Sequence, residues 1–141
     1  MPASGSVVSN SRVEQSFTAT YSDANGWANL QWAFLRFNGW GPTLLEAAYY
    51  VPGNLLYMRG TDGAFVGGFA PGSNNVITTA AGSLNCAAVT VAKSGADLTV
   101  NWGLAAAASL TGANPVSARA VDHDGLETGY QLLQEAIWII R

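Results

Sequence analysis

The chain has 141 residues and a formal net charge of −3, with six Lys and Arg against nine Asp and Glu. Hydrophobic residues make up 49% and charged residues only 11%, a balance that excludes a disordered chain. Without a basic stripe there is nothing to grip a phosphate backbone, so nucleic-acid binding is excluded as a working class. No apolar run reaches the roughly 18 residues of a spanning helix, and no polybasic stretch favours an anionic membrane surface.

The length suits one domain over residues 1–141, large enough to bury about two-thirds of its unfolded surface without covalent staples. Cys86 is the single cysteine, so no intrachain disulfide forms, and its setting (Asn85 before it, Ala87-Ala88-Val89 after) reads as a small buried hydrophobe. Met1-Pro2-Ala3-Ser4 lacks a signal-peptide core, so a secreted or cell-surface protein would carry its signal outside this segment. A surface made polar by Ser, Thr, Asn and Gly rather than by charge suits that location.

Residues 1–12 are small and polar, a frayed leader or a short edge strand. Val13 to Tyr21 places Val13, Gln15, Phe17, Ala19 and Tyr21 on one face, a period of two that predicts a strand. Ser22-Asp23-Ala24-Asn25-Gly26 is a turn in which Asp23 and Asn25 can bond their own backbone. Leu30 to Phe37 predicts a central strand buried on both faces, with Trp32 a core residue, and Asn38-Gly39-Trp40-Gly41-Pro42 ends it. Leu44 to Tyr50 mixes signals: Glu46 and the alanines favour helix, Tyr49-Tyr50-Val51 favour strand. Strand is chosen.

Pro52-Gly53-Asn54 turns the chain into Leu55–Arg59. Gly60-Thr61-Asp62-Gly63 is a hairpin loop, and Ala64 to Phe69 is the return strand. Pro71 to Asn75 is loop. Asn85 to Ala92 and Asp97 to Ala106 are two strands joined by Lys93-Ser94-Gly95-Ala96, and the alanines to Ala108 are a strand end with loop. Val116, Ala118 and Ala120 alternate with Ser117 and Arg119 as a strand. It breaks at Asp122-His123-Asp124-Gly125 and is answered by a second strand from Tyr130 to Ile140. Turn signals every 8–12 residues predict an all-β, antiparallel sandwich of about eight or nine strands.

Three runs carry a resemblance: S-F-T-A-T-Y-S-D-A-N-G at Ser16–Gly26, N-L-L-Y-M-R at Asn54–Arg59, and A-R-A-V-D-H-D-G at Ala118–Gly125. Together they resemble an immunoglobulin-like β-sandwich module of bacterial extracellular multidomain proteins, in which an A-x-D-x-x-G strand end leads into the final hairpin. The resemblance covers most of the chain from Val13. It implies a cysteine pair between Cys86 and the strand Ala47–Tyr50, but Ala47 and Ala48 stand where the partner would sit, leaving Cys86 free for another chain. It also implies a passive module: a spacer, an adhesive segment or a binding domain.

Four groups of residues are candidates for function. Asp23, Asn25, Asp122, Asp124 and Glu127 belong to two loops expected at one end of the sandwich, where their oxygens would suit calcium; turns need the same residue types. Trp27, Trp40 and Tyr130 sit in or beside loops as an aromatic platform for glycan, the alternative being core filling. His123 between Asp122 and Asp124 would have its charged form favoured, yet no motif marks Ser117 or Thr128 as a nucleophile beside it. Leu132-Leu133 and Ala136–Ile140 form an apolar strand that, left at an edge, would pair with copies of the chain or with neighbouring domains, the alternative being simple burial in the sandwich. The expected function is a non-catalytic extracellular structural or adhesive module, self-assembling through that strand. The alternatives are a carbohydrate-binding module using loop aromatics, and an engineered binding scaffold or small enzyme built on the fold.

Overall fold

The computed structural model describes residues 6–9, 13–23, 25–37, 45–60, 64–107, 112–122 and 131–140, with the backbone alone for 6–9, 112–117 and 131–140. Strands run β1 Ser6–Ser9, β2 Gln15–Ser22, β3 Leu30–Phe37, β4 Leu45–Tyr50, β5 Leu55–Arg59, β6 Phe65–Phe69, β7 Val76–Thr79, β8 Gly82–Asn85, β9 Thr90–Ser94, β10 Asp97–Ala106, β11 Gly112–Asp122 and β12 Gln131–Ile140. One sheet has the order β1-β12-β11-β3-β4-β5-β6; the other has β2-β10-β8-β7, with β9 also on β10. Every pairing is antiparallel except β1 with β12. The fold is all-β, two facing sheets consistent with a sandwich. No helix among the described residues is long and apolar enough to cross a membrane.

The period of two places the core. Phe17, Ala19 and Tyr21 from β2, and Leu98, Val100, Trp102 and Leu104 from β10, meet Ala33, Leu35 and Phe37 from β3 and Ala47 and Tyr49 from β4. Trp102, Leu35, Phe37 and Tyr49 are wholly buried. The Phe17 and Phe37 rings meet edge to face across the two layers, centroids 4.9 Å apart. The Tyr21 hydroxyl donates to the Phe34 carbonyl oxygen at 3.0 Å, tying β2 to the opposite sheet. Burial pushes that phenol far above its usual range, so it stays a donor at any physiological pH.

Three expectations change. The stretch Asn85 to Ala92 is not one strand: β8 ends at Asn85, Cys86–Ala88 form a 3-10 turn, and β9 starts at Thr90. Asn85 caps that turn by accepting from the Ala87 amide at 3.2 Å. β8 and β9 follow one another along the same side of β10, and Gly103 leaves room for the turn between them, since a Cβ there would lie 2.8 Å from the Ala88 methyl. Second, Val76–Asn85 forms a β7–β8 hairpin that short runs of Thr, Ala and Gly hide from periodicity. With β1 and β9 these pieces raise the count to twelve strands among the described residues.

Third, the apolar closing strand is not at an edge. β12 lies between β11 and β1, with Val7 opposite Trp138 and Val8 opposite Ile139. The leader supplies the covering strand, so β12 backbone groups pair on both sides. Cys86 is also closed off: it is wholly buried, and desolvation pushes its thiol upward. A buried, protonated thiol is neither reachable nor nucleophilic toward another chain.

Gly82 on β8 backs directly onto β10, and a Cβ there would run into the Ala105 carbonyl oxygen. Backbone cannot swing aside as a side chain does. Gly82→Ala is therefore expected to destabilise the fold by about 2 kcal/mol, the range of overpacked cores, read as a lower urea midpoint at unchanged slope. A loss under about 0.5 kcal/mol, the level of an ordinary surface change, would show that the two strands have room to part.

Candidate ligand face

The residues of β3 that alternate with the core face outward. Trp32, Phe34 and Arg36 occupy that outer side of the seven-stranded sheet, opposite Tyr50, Ala48 and Glu46 on β4. β5 adds Tyr57 and Arg59, β6 adds Phe65 opposite Arg59, and β11 adds Arg119 opposite Phe34. Cross-strand pairs on one sheet face come within side-chain reach, and here they build a continuous cluster of rings and guanidinium groups.

Trp32 is its centre. Its ring lies 4.7 Å from Tyr50, 5.7 Å from Tyr57, 5.7 Å from Phe34 and 6.1 Å from Phe65, centroid to centroid. The planes of Phe34 and Phe65 depart from that of Trp32 by only 14° and 24°. Trp32, Tyr50, Tyr57 and Phe65 all remain partly exposed. Ala48 faces outward yet is wholly buried, its methyl covered by the longer side chains around it. Arg119 lies over the Phe34 ring at 4.4 Å and Arg59 over Phe65 at 5.0 Å, within cation–π range.

Glu46 sets two of the guanidinium groups, those of Arg59 and Arg36. It is wholly buried, receives Arg59 Nε at 2.6 Å on Oε1, and has Arg36 Nε 3.6 Å from Oε2. This explains a glutamate in the middle of a strand, the residue that argued for helix in the sequence. It is a cross-strand ion pair on a sheet face.

The sequence-predicted sites fall as follows. Asp23 and Asp122 lie near one another. Asp23 follows β2, Asp122 ends β11 beside Leu30, and the two carboxyls lie close enough to influence each other. The Asp23 carboxyl is held below the usual aspartate range chiefly by the Asn25 amide, at 2.7 Å, with Asn29 Nδ2 at 3.2 Å adding to the effect against desolvation. Both its oxygens accept N–H groups, the pattern of a side chain holding a turn. Asn25 itself is exposed and contributes its amide. Asp124 and Glu127 lie outside the described residues, and among those described no three acidic, His or Cys side chains form a metal-binding group.

Trp27 sits in a 3-10 turn before β3. Its amide donates to the Gly95 carbonyl, its ring packs against the core, and Lys93 Nζ stands 4.6 Å over it. Trp40, Tyr130 and His123 lie outside the described residues. Trp32, expected in the core, is the correction that matters most. The signal was present in the alternation of Trp32, Phe34 and Arg36 against Ala33, Leu35 and Phe37, in which an arginine shares the tryptophan's side.

Removing the Glu46 carboxylate leaves Arg36 and Arg59 facing each other without it. Glu46→Ala is expected to cost on the order of 3 kcal/mol, as when one partner of a buried pair is deleted, measured by chemical denaturation; a change near zero would show that the two arginines reach solvent unaided. The depressed Asp23 carboxyl adds stability that is complete above the ordinary aspartate range near pH 4 and is lost as pH falls through its lower folded value. Asp23→Asn keeps an acceptor for Asn25, so the variant is expected to lose part of the acid-side decline of the melting temperature. An unaltered acid limb would exonerate Asp23.

No protein-family model, curated protein or solved structure matches the chain.

Proposed function

We propose that this chain is a non-catalytic, immunoglobulin-like module of an extracellular bacterial protein, and that it adheres to saccharide through the outer face of its seven-stranded sheet. The observation that carries the reading is the partly exposed ring cluster about Trp32, with Tyr50, Tyr57 and Phe65 each within 6.1 Å of it. Apolar C–H faces of pyranose rings stack on aromatic faces, and neighbouring hydroxyls find donors and acceptors in Arg and Tyr side chains. A rigid sheet holds such rings in place, which limits the ordering entropy lost on binding. The glycan idea thus passes from loop aromatics to strand aromatics.

The test is titration of the protein with soluble oligosaccharides, followed by tryptophan fluorescence and calorimetry. Trp32→Ala is expected to weaken binding at least about tenfold, roughly 1.4 kcal/mol, with an unchanged far-ultraviolet spectrum because the side chain lies outside the core. Equal binding by a folded variant would remove the face from the reading.

A further inference from the structure

Among the described residues, the ring cluster is also where positive charge gathers. Arg36, Arg59 and Arg119 share the face with one carboxylate among those residues, Glu46. Three cations against one anion sum to +2 among these described side chains, on a chain whose total is −3. The other described cation, Lys93, covers Trp27 beside the five-stranded sheet.

Glu46 does not present its charge to solvent. It is wholly buried, while the Arg36 and Arg59 side chains above it are 20% and 28% exposed. A guanidinium has five N–H donors in a planar fork. Arg59 meets Glu46 through Nε, an arrangement that holds the group in place while part of the side chain stays exposed. Arg59 and Arg119 stand over Phe65 and the buried Phe34, so the cations lie beside the partly exposed rings of Phe65, Trp32 and Tyr57. Such a surface suits a ligand that alternates apolar ring faces with anionic groups, since arginine takes carboxylate and sulfate in two-pronged hydrogen bonds.

We propose that this face selects an acidic polysaccharide: pyranose rings lie on Trp32 and its neighbours, and uronate carboxylates or sulfate groups are taken by Arg59 and Arg119. This rests on the saccharide reading above and adds the charge of the ligand to it.

The probes are oligogalacturonate, dextran sulfate and a neutral cello-oligosaccharide of matched length, titrated by calorimetry at low and high salt. The proteins are wild type, Arg119→Gln, Arg119→Lys and Trp32→Ala. An acidic oligomer is expected to bind at least about tenfold tighter than the neutral one, with a preference that shrinks as salt screens it. Arg119→Gln should lose most of that preference, Arg119→Lys should keep part of it, and Trp32→Ala should weaken every saccharide. Oligogalacturonate and dextran sulfate separate carboxylate from sulfate recognition, and binding of either supports the proposal. Equal affinity for the neutral oligomer, with Arg119→Gln silent, overturns the charge selection and leaves the saccharide reading standing. No binding of any saccharide by the folded protein overturns both. A concentration-dependent dimer that dissolves in Trp32→Ala and Arg119→Gln would assign the face to a second copy of the chain and overturn the proposal.

Discussion

β3 is the strand on which the rest depends, because its two sides do opposite work. Ala33, Leu35 and Phe37 enter the space between the sheets, while Trp32, Phe34 and Arg36 look away from it. A slip of one residue would carry arginine and tryptophan inward and leave leucine in water. β3 pairs with β11 on one side and β4 on the other, and it is the fourth of the seven strands in its sheet. Its register is therefore passed to both neighbours. The Tyr21 hydroxyl, bonded to the Phe34 carbonyl, then joins it to the opposite layer.

The outer side of the same sheet behaves almost as a second, shallow core. Ala48 and Glu46 are as buried there as residues between the layers, although the strands that carry them have water beyond their side chains. Long flat side chains make this possible. Rings and guanidinium groups cover short residues while keeping part of their own surface wet. Glu46 is the polar centre of that layer, and its two arginines offset the cost of removing a carboxylate from water. A face built so tightly from mutually packed aromatics is unusual for an element whose only duty is to be solvated, and it is this that turns attention from the loops to the strands.

The topology explains two further features. The first strand enters parallel beside the last, which removes an apolar edge that would otherwise invite pairing with another chain. At the other end of that sheet, β6 carries Gly67 and Gly68 at positive φ and a register shift against β5. A Cβ on Gly67 would strike both the Ile77 side chain and the Leu56 carbonyl oxygen. The strand is bent close to the core, and a bent, glycine-bearing edge is a poor template for a further strand.

Local sequence was enough to place the long strands. β3, β5 and β10 begin and end at Leu30 and Phe37, Leu55 and Arg59, and Asp97 and Ala106, the residues at which periodicity stops and turn chemistry starts. The turn at Asp23 was equally legible, since an aspartate bonding the amide two residues on is a contact within one short segment. Alternation states that two sets of side chains point opposite ways; it does not state which set meets the other sheet. Trp32 and Leu35 are both hydrophobic, and only the pairing of β3 with β4 and the approach of β2 and β10 decide that leucine goes inside. The same holds for Glu46, whose partners come from β3 and β5, and for the place of β12 between β11 and the leader strand. Those facts rest on contacts between residues far apart in the chain, and so belong to the tertiary structure alone.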